Sequence, residues 1–190
     1  RFLLHITSLI GTKRDRLKGL SEDALTSIFD ISFQAINISS SAKAVNGNVD
    51  LAIEYEDYMW LGEAKIAHSV SVIYGGYLQL TSRYTTGMLG QTSGGMLLYC
   101  QDERADVTIA GWKAALSKQV SVSNVQPGPT DLSFRSSDMC AATGATLDIL
   151  HLAVPLHHEP QEELRKLSPA SSMAARKARD EVKARNKAAK

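Results

Sequence analysis

The chain has 190 residues, 44% of them apolar and 22% charged, a balance that fits a globular domain with a sizeable core and excludes disordered and fibrous classes. Its net charge of +1 conceals an asymmetry: residues 161–190 carry nine Lys or Arg against four acids, while the first 160 carry twelve against sixteen. The two cysteines, Cys100 and Cys140, lie far apart without metal-ligand neighbours, which argues against a disulfide framework and a zinc site. Two buried free thiols in a reducing, cytoplasmic setting are the expectation. No apolar run has the length of a membrane span, so no membrane association is expected, and Phe2–Ile6 is too short and too soon polar for a signal peptide. The chain begins at Arg1 rather than Met, which leads us to expect a further portion upstream.

In chain order, residues 1–20 read as a strand or short helix followed by a basic loop carrying Lys13, Arg14, Arg16 and Lys18. Ser21-Glu22-Asp23 has the form of a helix N-cap with acids in the first turn, and Leu25, Ile28, Phe29, Phe33 and Ile36 keep helical spacing, which predicts a helix over 22–37. Residues 38–48 are rich in Ser and Asn and end in the turn signal Asn46-Gly47-Asn48. Alternation over Val49–Ile53 and Trp60–Ile66, with the acidic stretch Glu54–Tyr58 between, predicts a β-hairpin. Gly75-Gly76 stands at the entrance of a helix predicted over 77–84, and Gly94–Cys100 reads as a buried strand. An amphipathic helix over 105–118, built around Val107, Trp112 and Leu116, is followed by a plain loop at Gln126-Pro127-Gly128-Pro129. Strands are expected at 131–137 and 147–156. The order of elements implies an α/β domain over 1–160 with a central mixed sheet, and 161–190 reads as a basic helical or partly disordered tail.

The chemistry concentrates on the hairpin. Glu63 and Lys65 share a strand face, and Asp50 on the neighbouring strand can lie across from Glu63. Two carboxylates so placed can hold one Mg²⁺, with the carbonyl of Ala64 as a third ligand, and Lys65 can steady a phosphate oxygen or orient a water. Acids inside apolar strands rarely stand there without a partner or a metal. Gln79 and Arg83, spaced i, i+4 on the next helix, share one face and can reach a phosphate backbone, and Glu22 can add a further carboxylate. His68, three residues past Lys65, reads as an ordinary loop histidine and His157-His158-Glu159 as a surface turn. No nucleophile elbow, Walker-type loop or zinc-ligand set occurs.

Asp50, then Glu63-x-Lys65 after a hairpin, then Gly76-x-x-Gln79-Leu80-x-x-Arg83-Tyr84, resembles the PD-(D/E)XK nuclease superfamily over about half the chain, from Glu22 to Cys100. The proline frequent before the family's aspartate is replaced by Val49. The resemblance implies a restriction-endonuclease-like central mixed β-sheet flanked by helices, and a metal-dependent endodeoxyribonuclease using Mg²⁺, with Mn²⁺ able to substitute. It makes Asp50 and Glu63 the metal ligands, Lys65 the catalytic lysine, Gln79 the accessory polar residue of the second core helix and Glu22 the acid of the first. DNA is the implied partner. A partner subunit in a homo-oligomer, the portion upstream of Arg1 or the basic tail would then supply the positive cleft that the acidic body lacks. The chain would be the effector domain of a larger restriction, defence or toxin protein whose nuclease an N-terminal sensor domain gates. The alternative is a catalytically inactive nuclease-fold module that binds DNA or a protein partner.

Overall fold

A computed structural model describes residues 1–44, 47–119 and 121–160, of which Arg1–His157 form one compact unit. The expected α/β architecture is present: seven strands form one mixed sheet with helices on both faces. Helices α1 (Phe2–Thr12), α2 (Arg14–Leu17) and α3 (Glu22–Gln34) precede strands β1 (Ser39–Ala44), β2 (Asn48–Tyr55) and β3 (Tyr58–Ile66). Helix α4 (Val70–Gln79) continues into a π-helical turn, Leu80–Tyr84, and β4 (Ser93–Cys100), α5 (Ala105–Leu116), β5 (Ser123–Pro127), β6 (Ser133–Met139) and β7 (Thr146–Pro155) complete the fold. Spatial order is β1-β2-β3-β4-β7-β6-β5, with β3, β4 and β7 parallel at the centre and antiparallel strands on either side.

The central strands carry long apolar runs because both of their faces are covered. In β4, every residue from Gly94 to Cys100 is buried. On one face, Ile6 and Ile10 of α1 and Leu25, Phe29 and Phe33 of α3 pack with Leu51, Ala64, Leu97, Tyr99 and Val154. On the other, Ile73 and Tyr77 of α4 and Ile109, Trp112 and Leu116 of α5 pack with Leu61, Met96, Leu98 and Ile149. No helix among the described residues is long and apolar enough to cross a membrane.

Several elements differ from their sequence reading. Residues 1–20 contain two helices, so the basic stretch forms α2 rather than a loop. The Ser-rich 38–48 region holds strand β1, whose propensity is weak but whose backbone pairs with β2. The hairpin turn is only Glu56-Asp57, with Glu56 at φ 52, so the acidic stretch belongs mostly to the strands. Helix α4 starts at Val70, capped by the Ser69 hydroxyl, which puts Gly75-Gly76 inside the helix instead of at its entrance. Strand β5 occupies part of the expected loop at 126–129, and Val107 of α5 faces solvent. Both cysteines are buried free thiols. The basic tail, 161–190, lies outside the described residues.

Candidate functional site

Strands β2 and β3 pair from Tyr55↔Tyr58 to Leu51↔Gly62. On the other side of β2, the pairing with β1 shifts: Ser41 faces Ala52, but Lys43, two residues on, faces Val49, three residues back. The extra residue is a β-bulge in β2 at Asp50-Leu51, a device that turns a strand and re-aims a side chain. Because of it Val49 packs with the α4/α5 core and Leu51 with the α1/α3 core, although simple alternation would send both to one face. Asp50 stands at the break. Its Oδ2 accepts the Ala64 amide proton at 2.8 Å, so the carboxylate takes up a strand amide just beyond the last β2–β3 pair.

Glu63 and Lys65 then project from β3 on the α4 side, and Ala64 buries its methyl on the opposite face. Glu63 is 2% exposed. Its Oε1 is 2.7 Å from Lys65 Nζ, and its Oε2 is buried without a hydrogen-bond partner among the described residues. Helix α3 supplies the third acid from its first residue. Ser21 Oγ accepts the Ala24 amide proton and fixes the helix start, which points Glu22 across the end of β3. Glu22 Oε2 accepts the Ile66 amide proton at 2.8 Å, and Oε1 accepts from Lys65 Nζ at 3.0 Å. Lys65 Nζ also donates to the Ala64 carbonyl at 2.7 Å and lies 3.7 Å from Asp50 Oδ2.

The electrostatics follow from this crowding. Burial pushes the Glu63 carboxyl up to about 7; Lys65 pulls it down, while the charges of Asp50 and Glu22 add to the rise. Asp50 is raised for the same leading reason, moderated by the Ala64 amide and Lys65. Burial alone would lower Lys65, but its hydrogen bond to Glu63 and the surrounding carboxylates hold it above its ordinary range. Lys65 is therefore an ammonium and not a base. Three carboxylates meet one ammonium, so when all are ionised two negative charges stay uncompensated within the cluster.

Four of the expected residues thus converge: Glu22, Asp50, Glu63 and Lys65, with the carbonyl of Ala64 beside them. Gln79, half-buried at the end of α4, makes no side-chain hydrogen bond to them among the described residues, and Arg83 is exposed on the π-helical turn. His68 pairs with Asp102 instead of joining the cluster. Tyr84 is an addition that sequence reasoning gave no role. Its phenol is raised first by burial and then by the charges of Glu63 and Asp50, so it lies within their field. Its place as the last residue of the Gly76-to-Tyr84 string was the available signal.

Among the described residues, no three His, Cys, Asp or Glu side chains are drawn together closely enough to hold a metal ion as they stand. The donor set nevertheless suits a hard divalent cation: all its ligands are oxygens, the net charge is negative, and Glu63 Oε2 is a buried oxygen with no partner. A second polar cluster can be set aside. Ser136 Oγ is 2.8 Å from His151 Nε2, but both residues are sealed in the core, and Trp112 donates to His151 Nδ1 at 3.0 Å. That bond puts the neutral imidazole's proton on Nε2, facing the serine, where a general base would need a lone pair.

No protein-family model matches the chain, and neither a curated protein nor a solved structure does.

Proposed function

We propose that this chain is a metal-dependent endodeoxyribonuclease built on a restriction-endonuclease-like form of the α/β fold. The observation that carries the reading is the gathering of Asp50, Glu63, Lys65 and Glu22 where the β2–β3 pairing ends at a bulge. Asp50, Glu63 and the Ala64 carbonyl would hold Mg²⁺ or Mn²⁺. Bound there, the ion supplies Lewis acidity and positive charge to the phosphodiester under attack. Lys65 donates hydrogen bonds to a non-bridging phosphate oxygen and so stabilises charge that grows toward the transition state. Glu22 is a positioning residue: by holding the Ile66 amide and the Lys65 ammonium it fixes the end of β3 against α3. Arg83, exposed, contacts the DNA backbone, and Gln79 on the preceding turn orients the attacked strand.

Plasmid DNA incubated with the protein and Mg²⁺ or Mn²⁺ tests this. The wild type should cleave, and Glu63→Ala and Lys65→Ala should each lose about a hundredfold or more of the rate. Equal cleavage by all three would end the assignment. The second reading, a non-catalytic module, is favoured by one feature: Lys65 already balances part of the carboxylate charge without any metal. Calorimetric absence of Mg²⁺ and Mn²⁺ binding, together with salt-sensitive DNA binding, would select it.

A further inference from the structure

Lys65 Nζ sits where the oxygens of the cluster meet. Its three N–H donors have three acceptors within 3.0 Å: Glu63 Oε1 at 2.7 Å, the Ala64 carbonyl at 2.7 Å and Glu22 Oε1 at 3.0 Å. Asp50 Oδ2, at 3.7 Å, is an ion-pair partner. Of these four oxygens, three belong to residues that the proposed function assigns to the metal. The spacing is that of an ammonium cage, wider than the roughly 2.1 Å Mg–O distance a magnesium ion demands. A metal ion on these oxygens would stand at close range to the Lys65 charge, so the two cations repel each other across the same acceptors. The lysine stem is placed for this. A Cβ on Gly76 would stand 2.8 Å from Lys65 Cγ and 3.1 Å from Cε, so the absence of a side chain in α4 is what lets the stem lie there.

Resting on the metal-ion reading of Asp50 and Glu63, we propose that Lys65 is the resident cation of the metal-free site and leaves it when a metal enters. The ammonium and the metal compete for one set of oxygens, and the exchange frees the ammonium to meet a phosphate. Metal affinity is then set partly by the fraction of molecules whose lysine has moved out, as for any ligand that binds a minor conformation. The uncompensated oxygen, Glu63 Oε2, offers the incoming cation a first ligand that the lysine does not use.

Two measurements on the full chain decide it. Titration calorimetry with Mn²⁺ should give Lys65→Met an affinity about tenfold or more tighter than wild type, since the methionine keeps the stem but removes the competitor. Acylation by a water-soluble amine reagent, read by mass spectrometry, should find Lys65 protected in the metal-free wild type. Saturating Mg²⁺ should then raise its labelling severalfold relative to exposed Lys118. Tighter binding by Lys65→Met with unchanged wild-type labelling would mean through-space repulsion and would overturn the exchange. Equal or weaker affinity of the variant overturns it too, as does the absence of Mn²⁺ binding by both proteins. Binding by Lys65→Met alone overturns it as well, because in the wild type the lysine then never yields its place to a metal. If Lys65→Met does not fold, the wild-type labelling experiment decides alone. Plasmid cleavage is a separate readout, so a protein that exchanges lysine for metal but does not cut DNA would defeat the nuclease reading and leave this one standing.

Discussion

Glu63 is buried, acidic and only half satisfied, and a carboxyl in that position links stability to pH. Its folded-state value, about 7, lies above the 4.5 of an ordinary glutamate, so the folded protein binds this proton more tightly than the unfolded chain. The stabilisation is complete below about 4.5 and is lost as pH rises through 7, a change on the order of 3 kcal/mol if Glu63 acts alone. Asp50, also raised, adds the same sign. In a chelator the wild-type melting temperature should therefore fall by several degrees between pH 5 and pH 8, and Glu63→Gln should flatten that slope and melt higher at pH 8. A wild-type protein that gains stability over this range would contradict the assignment of Glu63 as the destabilising carboxyl. The sequence identified this residue through a simple argument, an acid inside an apolar strand. It did not reveal the bulge at Asp50, because a bulge is a mismatch in pairing with β1, and β1 itself is a run of Ser and Ala broken only by Lys43, with no strand pattern.

At the scale of elements, α4 gives the sharpest contrast, because its two adjacent glycines have different surroundings. A Cβ at Gly75 meets nothing within 4 Å, whereas one at Gly76 meets Lys65 and Met96. Gly75→Ala should stabilise the protein by about 0.5–1 kcal/mol through helix propensity alone, with cleavage unchanged. Gly76→Ala has the same propensity gain but displaces the Lys65 stem, so it should lose activity while binding Mn²⁺ at least as tightly as the wild type, with little net stabilisation. Thermal melts and cleavage rates of the two variants check this, and parallel behaviour would detach α4 from the site. The helix readings show where local pattern suffices. Ser21 and the Leu25–Phe33 spacing placed α3 to within a few residues of its end, since both cap and apolar face are local. Helix α4 began seven residues earlier than expected, since its first turns hold exposed Val70 and Val72 and one of its two glycines, Gly76, serves close packing against Lys65 of β3.

Over the whole molecule, the site's position depends on long-range pairing that no local pattern encodes. Strand β7, last of the strands in sequence, inserts beside β4 at the centre, and the parallel β3-β4-β7 core holds the end of β3 against α3 and α4. Apolar runs announced buried strands there but not their neighbours. The same scale poses the question of how DNA is held, because the first 160 residues carry more acids than bases. Residues 161–190 have a surplus of five positive charges. If these neutralise phosphates, each contact contributes about 0.9 to the slope of log affinity against log salt. Replacing Arg176, Lys177, Arg179, Lys183 and Arg185 together by Gln should therefore lower that slope by up to about 4.5. Cleavage near 0.15 M salt should fall with it, while Mn²⁺ affinity at the Asp50–Glu63 pair stays as in the wild type. Fluorescence anisotropy with a labelled duplex across a salt series reads the slope directly. An unchanged slope would shift the phosphate contacts to the exposed Lys13, Arg14 and Arg16, which precede Glu22 in the chain.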